Sequence, residues 1–163
     1  MKKTISISVI ALFVAACATA FAQSKSSFAG KWTLVPDPNA AAAGGGRGGR
    51  GGGLGQEFTA TQDEKVLTVI TNNPQMGEIK AVYNLDGSET KNPLSFGGQT
   101  VERVSKAKWN GAKFVITTTT NFNGNNAEST QTWSLDASGN LVVETTSNFG
   151  GTPTTTKATY KKN

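Results

Sequence analysis

The sequence predicts an all-β protein, an antiparallel up-and-down meander of about eight strands closing into one barrel behind a cleaved signal peptide. Three observations carry that expectation. Short runs of alternating apolar and polar residues recur from Glu57 onward at roughly ten-residue spacing, with turn residues between them, as in a sandwich or barrel. A unit of roughly 27 residues repeats faintly, each copy one hairpin too small to bury its own apolar face. The chain has 163 residues, room for a single core.

Residues 1–22 have the three-part layout of a secretory signal peptide. Lys2 and Lys3 precede the apolar run from Ile5 to Ala16, and small residues end in Ala20-Phe21-Ala22. Cleavage after Ala22 leaves Gln23 first and releases the protein to the periplasm or the exterior. A second signal overlaps the first: Val14-Ala15-Ala16-Cys17 has the form of a lipobox, in which Cys17 is lipidated and the protein is held at the outer membrane. Both outcomes stay open. The apolar run is short for a bilayer span and no second one follows, so no transmembrane span is expected.

The first strand falls in residues 23–36, where Phe28 to Val35 reads as extended chain before Pro36. Residues 37–55 follow, dominated by Ala40 to Ala43 and by glycines carrying Arg47 and Arg50. That composition reads as a mobile loop, because glycine backbone is costly to order and little in the segment can be buried. Residues 56–163 hold the remaining strands, placed near Glu57 to Thr61, Lys65 to Thr71, Glu78 to Leu85, Thr100 to Trp109, Lys113 to Asn121, Glu128 to Leu135, Asn140 to Ser147 and Thr154 to Lys161. Asn110-Gly111, Asp86-Gly87 and Asp136 to Gly139 supply the turns between them. The repeat runs from Phe114 through Asn121-Phe122-Asn123-Gly124 to Trp133, and again from Leu141 through Asn148-Phe149-Gly150-Gly151 to Tyr160.

Alternation splits each hairpin into two faces. One carries Phe114, Ile116, Thr118 and Thr120, then Ser129, Gln131, Trp133 and Leu135, then Leu141, Val143, Thr145 and Ser147, then Thr154, Thr156, Ala158 and Tyr160. Antiparallel order gathers the large apolar members at one end, with Trp109 and Tyr83, and the hydroxyls at the other. On the strand leading to Trp109 the inward set is Val101, Arg103, Ser105 and Ala107. An inward arginine is costly unless an acid, carbonyls, water or a bound anion compensates it. Two readings follow. Arg103, Thr118, Thr120, Gln131, Thr145 and Thr156 line a pocket, or the hydroxyls bond one another and the backbone while a bulge turns Arg103 outward.

Composition excludes more than it assigns. The chain has no histidine, and its one cysteine is Cys17, so imidazole and thiolate chemistry, disulfides and soft metal sites are absent from the processed protein. The 16 basic residues less Lys2 and Lys3, against 11 acidic ones, leave a net charge of +3, too mild to imply a nucleic-acid partner. The ten acids from Glu57 to Glu144 read as turn or exterior positions, with none of the cross-cleft pairing that carboxylate catalysis needs. No catalytic residue, cofactor or metal is expected, and the protein reads as a monomer.

Gly30-Lys31-Trp32 on the first strand, followed by a long loop and a meander, resembles the lipocalin-like (calycin) families over the whole processed chain. The resemblance implies that Trp32 packs across the closed end of the barrel, where alternation already gathers Trp109, Trp133 and Tyr160 as a plug, and that the 40–55 segment lies over the open end. It implies an exported carrier of a small molecule. The chain departs from the pattern in lacking a later Thr-Asp-Tyr motif and a helix after the barrel. A structural or surface-interaction role in the cell envelope, with a filled barrel and no ligand, is the alternative.

Overall fold

The computed structural model of the protein describes residues 25–37, 53–96, 98–122, 124–148 and 152–163. The predicted leader with Cys17 and the Ala/Gly/Arg stretch at 38–52 lie outside these residues.

The described chain is β1 (Gly30–Leu34), β2 (Glu57–Gln62), β3 (Val66–Asn73), β4 (Gly77–Asn84), β5 (Asp86–Lys91), β6 (Leu94–Phe96), β7 (Gln99–Val101), β8 (Arg103–Asn110), β9 (Lys113–Phe122), β10 (Asn125–Leu135), β11 (Leu141–Asn148) and β12 (Thr154–Lys162). Ten of them form one sheet in the order β4-β3-β2-β1-β12-β11-β10-β9-β8-β5, and every pairing is antiparallel. Strand β4 at one edge lies against β5 and β8 at the other, so the sheet curls into a nearly closed barrel. The small β6-β7 hairpin stands apart as its own sheet.

The all-β antiparallel expectation therefore holds, with about ten barrel strands in place of about eight. The added strand is β5, Asp-Gly-Ser-Glu-Thr-Lys, which has no apolar side chain to mark an inward phase. It forms because β8 offers it a ladder, and it enters that ladder through an irregularity between Asp86 and Glu89. The segment read as one strand from Thr100 to Trp109 is divided at Glu102 into β7 and β8. The β8–β9 turn comes one residue later than Asn110-Gly111. Asn110 pairs with Lys113, and Gly111 takes φ +60° at the first of the two loop positions.

One side chain closes the seam that the ladder leaves open. Asn92 is buried, and its Oδ1 accepts from Val82 N–H at 2.7 Å while its Nδ2 donates to Val82 C=O at 3.0 Å. Its own backbone N–H donates to Arg103 C=O at 2.8 Å. An amide side chain carries the same donor and acceptor as a peptide unit, so Asn92 stands in β4's missing neighbour position and ties it to β8.

Candidate functional site: the inner face of the barrel

The links β2–β3, β4–β5, β8–β9 and β10–β11 lie at one end of the barrel, and that end is packed shut. Trp32, Trp133, Tyr160, Phe28, Phe114, Leu67 and Leu141 are all fully buried. Phe28 lies before β1 and stacks on Trp109 with centroids 5.5 Å apart and planes at 10°. It also meets Trp133 edge-on at 5.5 Å and Phe114 at 6.1 Å. Phe58 bridges to Tyr160 edge-on at 5.0 Å and to Trp133 at 5.8 Å. Such offset and edge contacts suit the ring quadrupoles.

The Gly-x-Trp step has a physical reason here. Trp32 Nε1–H donates to Phe28 C=O at 2.8 Å, folding the chain back so that Phe28 drops into the barrel, and Lys162 Nζ lies 5.7 Å over the Trp32 ring. Gly30 has φ +143°, and a Cβ there would stand 2.5 Å from Lys162 Cε. The backbone conformation favours glycine there, while the lysine end could swing aside.

Of the predicted plug, Trp32, Trp133 and Tyr160 are enclosed and Trp109 is partly buried against the cluster. Phe28 was read only as strand, although it is the ring around which the others gather. Leu135, read as inward, is exposed because it lies beyond Trp133 where the strand runs out of the barrel.

Toward the other end, the loop end, the same inner face turns polar. Thr118, Thr145 and Ser105 are buried, and Thr120, Gln131 and Thr156 are half-buried. The registers Arg103↔Thr120 and Ser105↔Thr118, and Gln131↔Thr145 with Thr145↔Thr156, place these residues in two adjoining groups. In the first group Ser105 Oγ and Thr118 Oγ1 share a hydrogen bond of 2.9 Å, and Asn92 Nδ2 donates to Ser105 Oγ at 3.4 Å. In the second, Gln131 Oε1 accepts from Trp133 Nε1 at 3.1 Å.

Arg103 is half-buried and shares the face of Ser105 and Ala107, its pairing with Thr120 regular. Its Nε is buried and, among the described residues, has no hydrogen-bond partner. The ion pairs among those residues are Lys31–Glu57, Lys91–Glu102 and Lys106–Glu89, all between exposed side chains. Tyr83 is buried nearby; burial pushes its hydroxyl above its ordinary pKa, with the Arg103 charge acting in the opposite sense.

The return arm of the β1–β2 link also enters this end. Leu54 is buried within the core cluster, Tyr160 Oη–H donates to Gly55 C=O at 3.2 Å, and Leu34 N–H donates to Gln56 C=O at 2.8 Å. A single leucine in a glycine-rich run was the only sequence signal for this insertion, and Asn92-Pro93 reads as an ordinary turn. Among the described residues, no group of three or more His, Cys, Asp or Glu could hold a metal ion, and no helix is long and apolar enough to cross a membrane.

Comparison with known proteins adds no name to this geometry. No family model matches the chain, and no curated protein matches it. The nearly closed antiparallel barrel is compatible with a lipocalin-like fold.

Proposed function

We propose that this is an exported, lipocalin-like small-molecule-binding protein, a monomeric carrier rather than an enzyme, whose ligand sits on the polar half of the inner face. The observation that carries the reading is Arg103. It is an inward cation whose buried Nε has no partner among the described residues, next to the mutually bonded Asn92, Ser105 and Thr118. A folded chain keeps such a costly group where something it meets compensates it. Export rests on the leader at 1–22, with lipidation of Cys17 as the variant that would hold the carrier at a membrane surface.

The test is a thermal-shift panel of chemically varied small molecules on the processed protein. At least one class should raise the melting midpoint in a concentration-dependent way, because a ligand of the folded state stabilises it by mass action. A flat response across acids, bases, sugars and apolar compounds would overturn the reading.

One observation favours a second reading, a filled barrel serving a structural role in the envelope: Leu54 already occupies part of the interior. On that account, deleting residues 40–52 removes envelope association in cell fractionation and leaves the melting midpoint unchanged. Unaltered fractionation would count against it.

A further inference from the structure

We infer that the inner-face subsite at Arg103 selects a monoanionic carboxylate, with the guanidinium binding the carboxylate oxygens. The inference rests on the small-molecule reading above and names the class of molecule that the site takes.

Three observations lead to it. The first is an imbalance of charge. Among the described residues, Glu57, Asp63, Glu64, Glu78, Asp86, Glu89, Glu102, Glu128 and Asp136 are exposed. Glu144 is half-buried and stands opposite Lys157, on the alternate face of β11 from buried Val143 and Thr145. The two acids nearest in sequence or register, Glu102 and Glu89, are engaged by Lys91 at 2.9 Å and Lys106 at 3.1 Å. Asp37 is exposed as well, and among the described residues no ion pair joins Arg103 to a carboxylate.

The second is the state of the neighbouring polar groups. Asn92 spends both ends of its amide on Val82, and the Ser105 and Thr118 hydroxyls bond each other. They form a fixed wall that holds the start of β8 in place but offer little unspent capacity; among the described residues the buried donors left without a partner are Arg103 Nε on this part of the face and Trp109 Nε1 among the rings of the closed end. A donor without a matching acceptor describes a site for an acceptor.

The third is the size of the charge. A planar guanidinium matches the two oxygens of a carboxylate through parallel N–H···O bonds. One half-buried cation balances one negative charge, whereas a phosphate dianion would bring a second, uncompensated charge beside it.

The experiment compares 2-naphthoate, its isosteric neutral amide 2-naphthamide, and inorganic phosphate, titrated calorimetrically into the processed wild-type protein and into Arg103→Met and Arg103→Lys variants of confirmed fold. Naphthoate should bind at least tenfold more tightly than the amide. That preference should vanish in Arg103→Met and survive in weakened form in Arg103→Lys, and phosphate should bind more weakly than naphthoate. Equal binding of acid and amide, unmoved by Arg103→Met, overturns the carboxylate assignment and leaves the carrier reading standing. Tighter phosphate binding overturns the monoanion selection. Failure of both naphthyl compounds to bind removes the carboxylate site, and it is the thermal-shift panel that then decides whether the carrier reading falls as well.

Discussion

Strand β9 begins among rings and ends among hydroxyls. At its start Phe114 touches Phe28 and Trp109, and six residues later Thr120 stands beside an arginine with a bare Nε. Strands β10, β11 and β12 repeat the gradient, from Trp133, Leu141 and Tyr160 to Ser129, Ser147 and Thr156. The two ends share strands and pairing and differ in what those strands enclose. The closed end is held by apolar burial, which tolerates no vacancy. The loop end is held by specific hydrogen bonds and by one inserted leucine, and among the described residues it leaves the buried Nε of Arg103 without a partner, as the closed end does Trp109 Nε1. On the proposed reading, stability and recognition fall at opposite ends of one surface.

The largest effect that would sharpen this contrast is removal of the central ring. Phe28→Ala should cost about 3 to 5 kcal/mol, the range for emptying a buried aromatic site, measured by urea unfolding. A cost under about 1 kcal/mol would mean that the closed end is not what holds the barrel. Next is the seam. Asn92→Ala leaves the N–H and C=O of Val82 without their partners and should cost roughly 1 to 3 kcal/mol, with faster amide exchange at Val82. Slow exchange there would show that the seam closes without Asn92.

A pH effect comes third. Burial raises the hydroxyls of Tyr83 and Tyr160 above the ordinary 10.0. The unfolded chain gives up these protons first, so their contribution is fully present below about pH 10 and is lost as the pH rises past it. Unfolding free energy measured from about pH 9 to about pH 11 should fall, and the fall should be shallower in a double variant carrying phenylalanine at both positions. The smallest effects belong to the loop end. Thr156→Val should change stability by no more than about 0.5 kcal/mol, and Arg103→Met should leave it level or slightly raise it, because an uncompensated cation is removed. A loss above about 2 kcal/mol in Arg103→Met would show that the arginine is structural and would break the division between the ends.

The part of the fold that could be read from sequence is the part in which side-chain alternation and burial coincide. Phe114, Ile116, Thr118, Trp133, Leu141, Val143, Thr145, Ala158 and Tyr160 are all buried in the phase that the two-residue period assigns them. Strand β5 was hidden because its pairing comes from β8 and not from its own composition. Asn92 was hidden because a side chain replacing a backbone neighbour depends on residues ten positions away in sequence, at Val82, and on the closing of the whole sheet. Phe28 looks like any strand residue until Trp32 pulls the chain back over the barrel end. Leu54 sits in a stretch whose composition argues for exposure, and only the partners of Gly55 and Gln56 bring it inside. The inward phase of Arg103, one of the two placements the sequence left open, follows from Ser105 and Ala107.

The most direct measurement of the unequal ends is residue-resolved hydrogen exchange along β9 in the ligand-free protein, by NMR. Amides near Phe114 and Ile116 should exchange only through global unfolding, and those near Thr118 and Thr120 through local opening at least tenfold faster, as expected where packing thins out along one strand. Uniform protection from Phe114 to Thr120, or protection rising toward Thr120, would contradict the account.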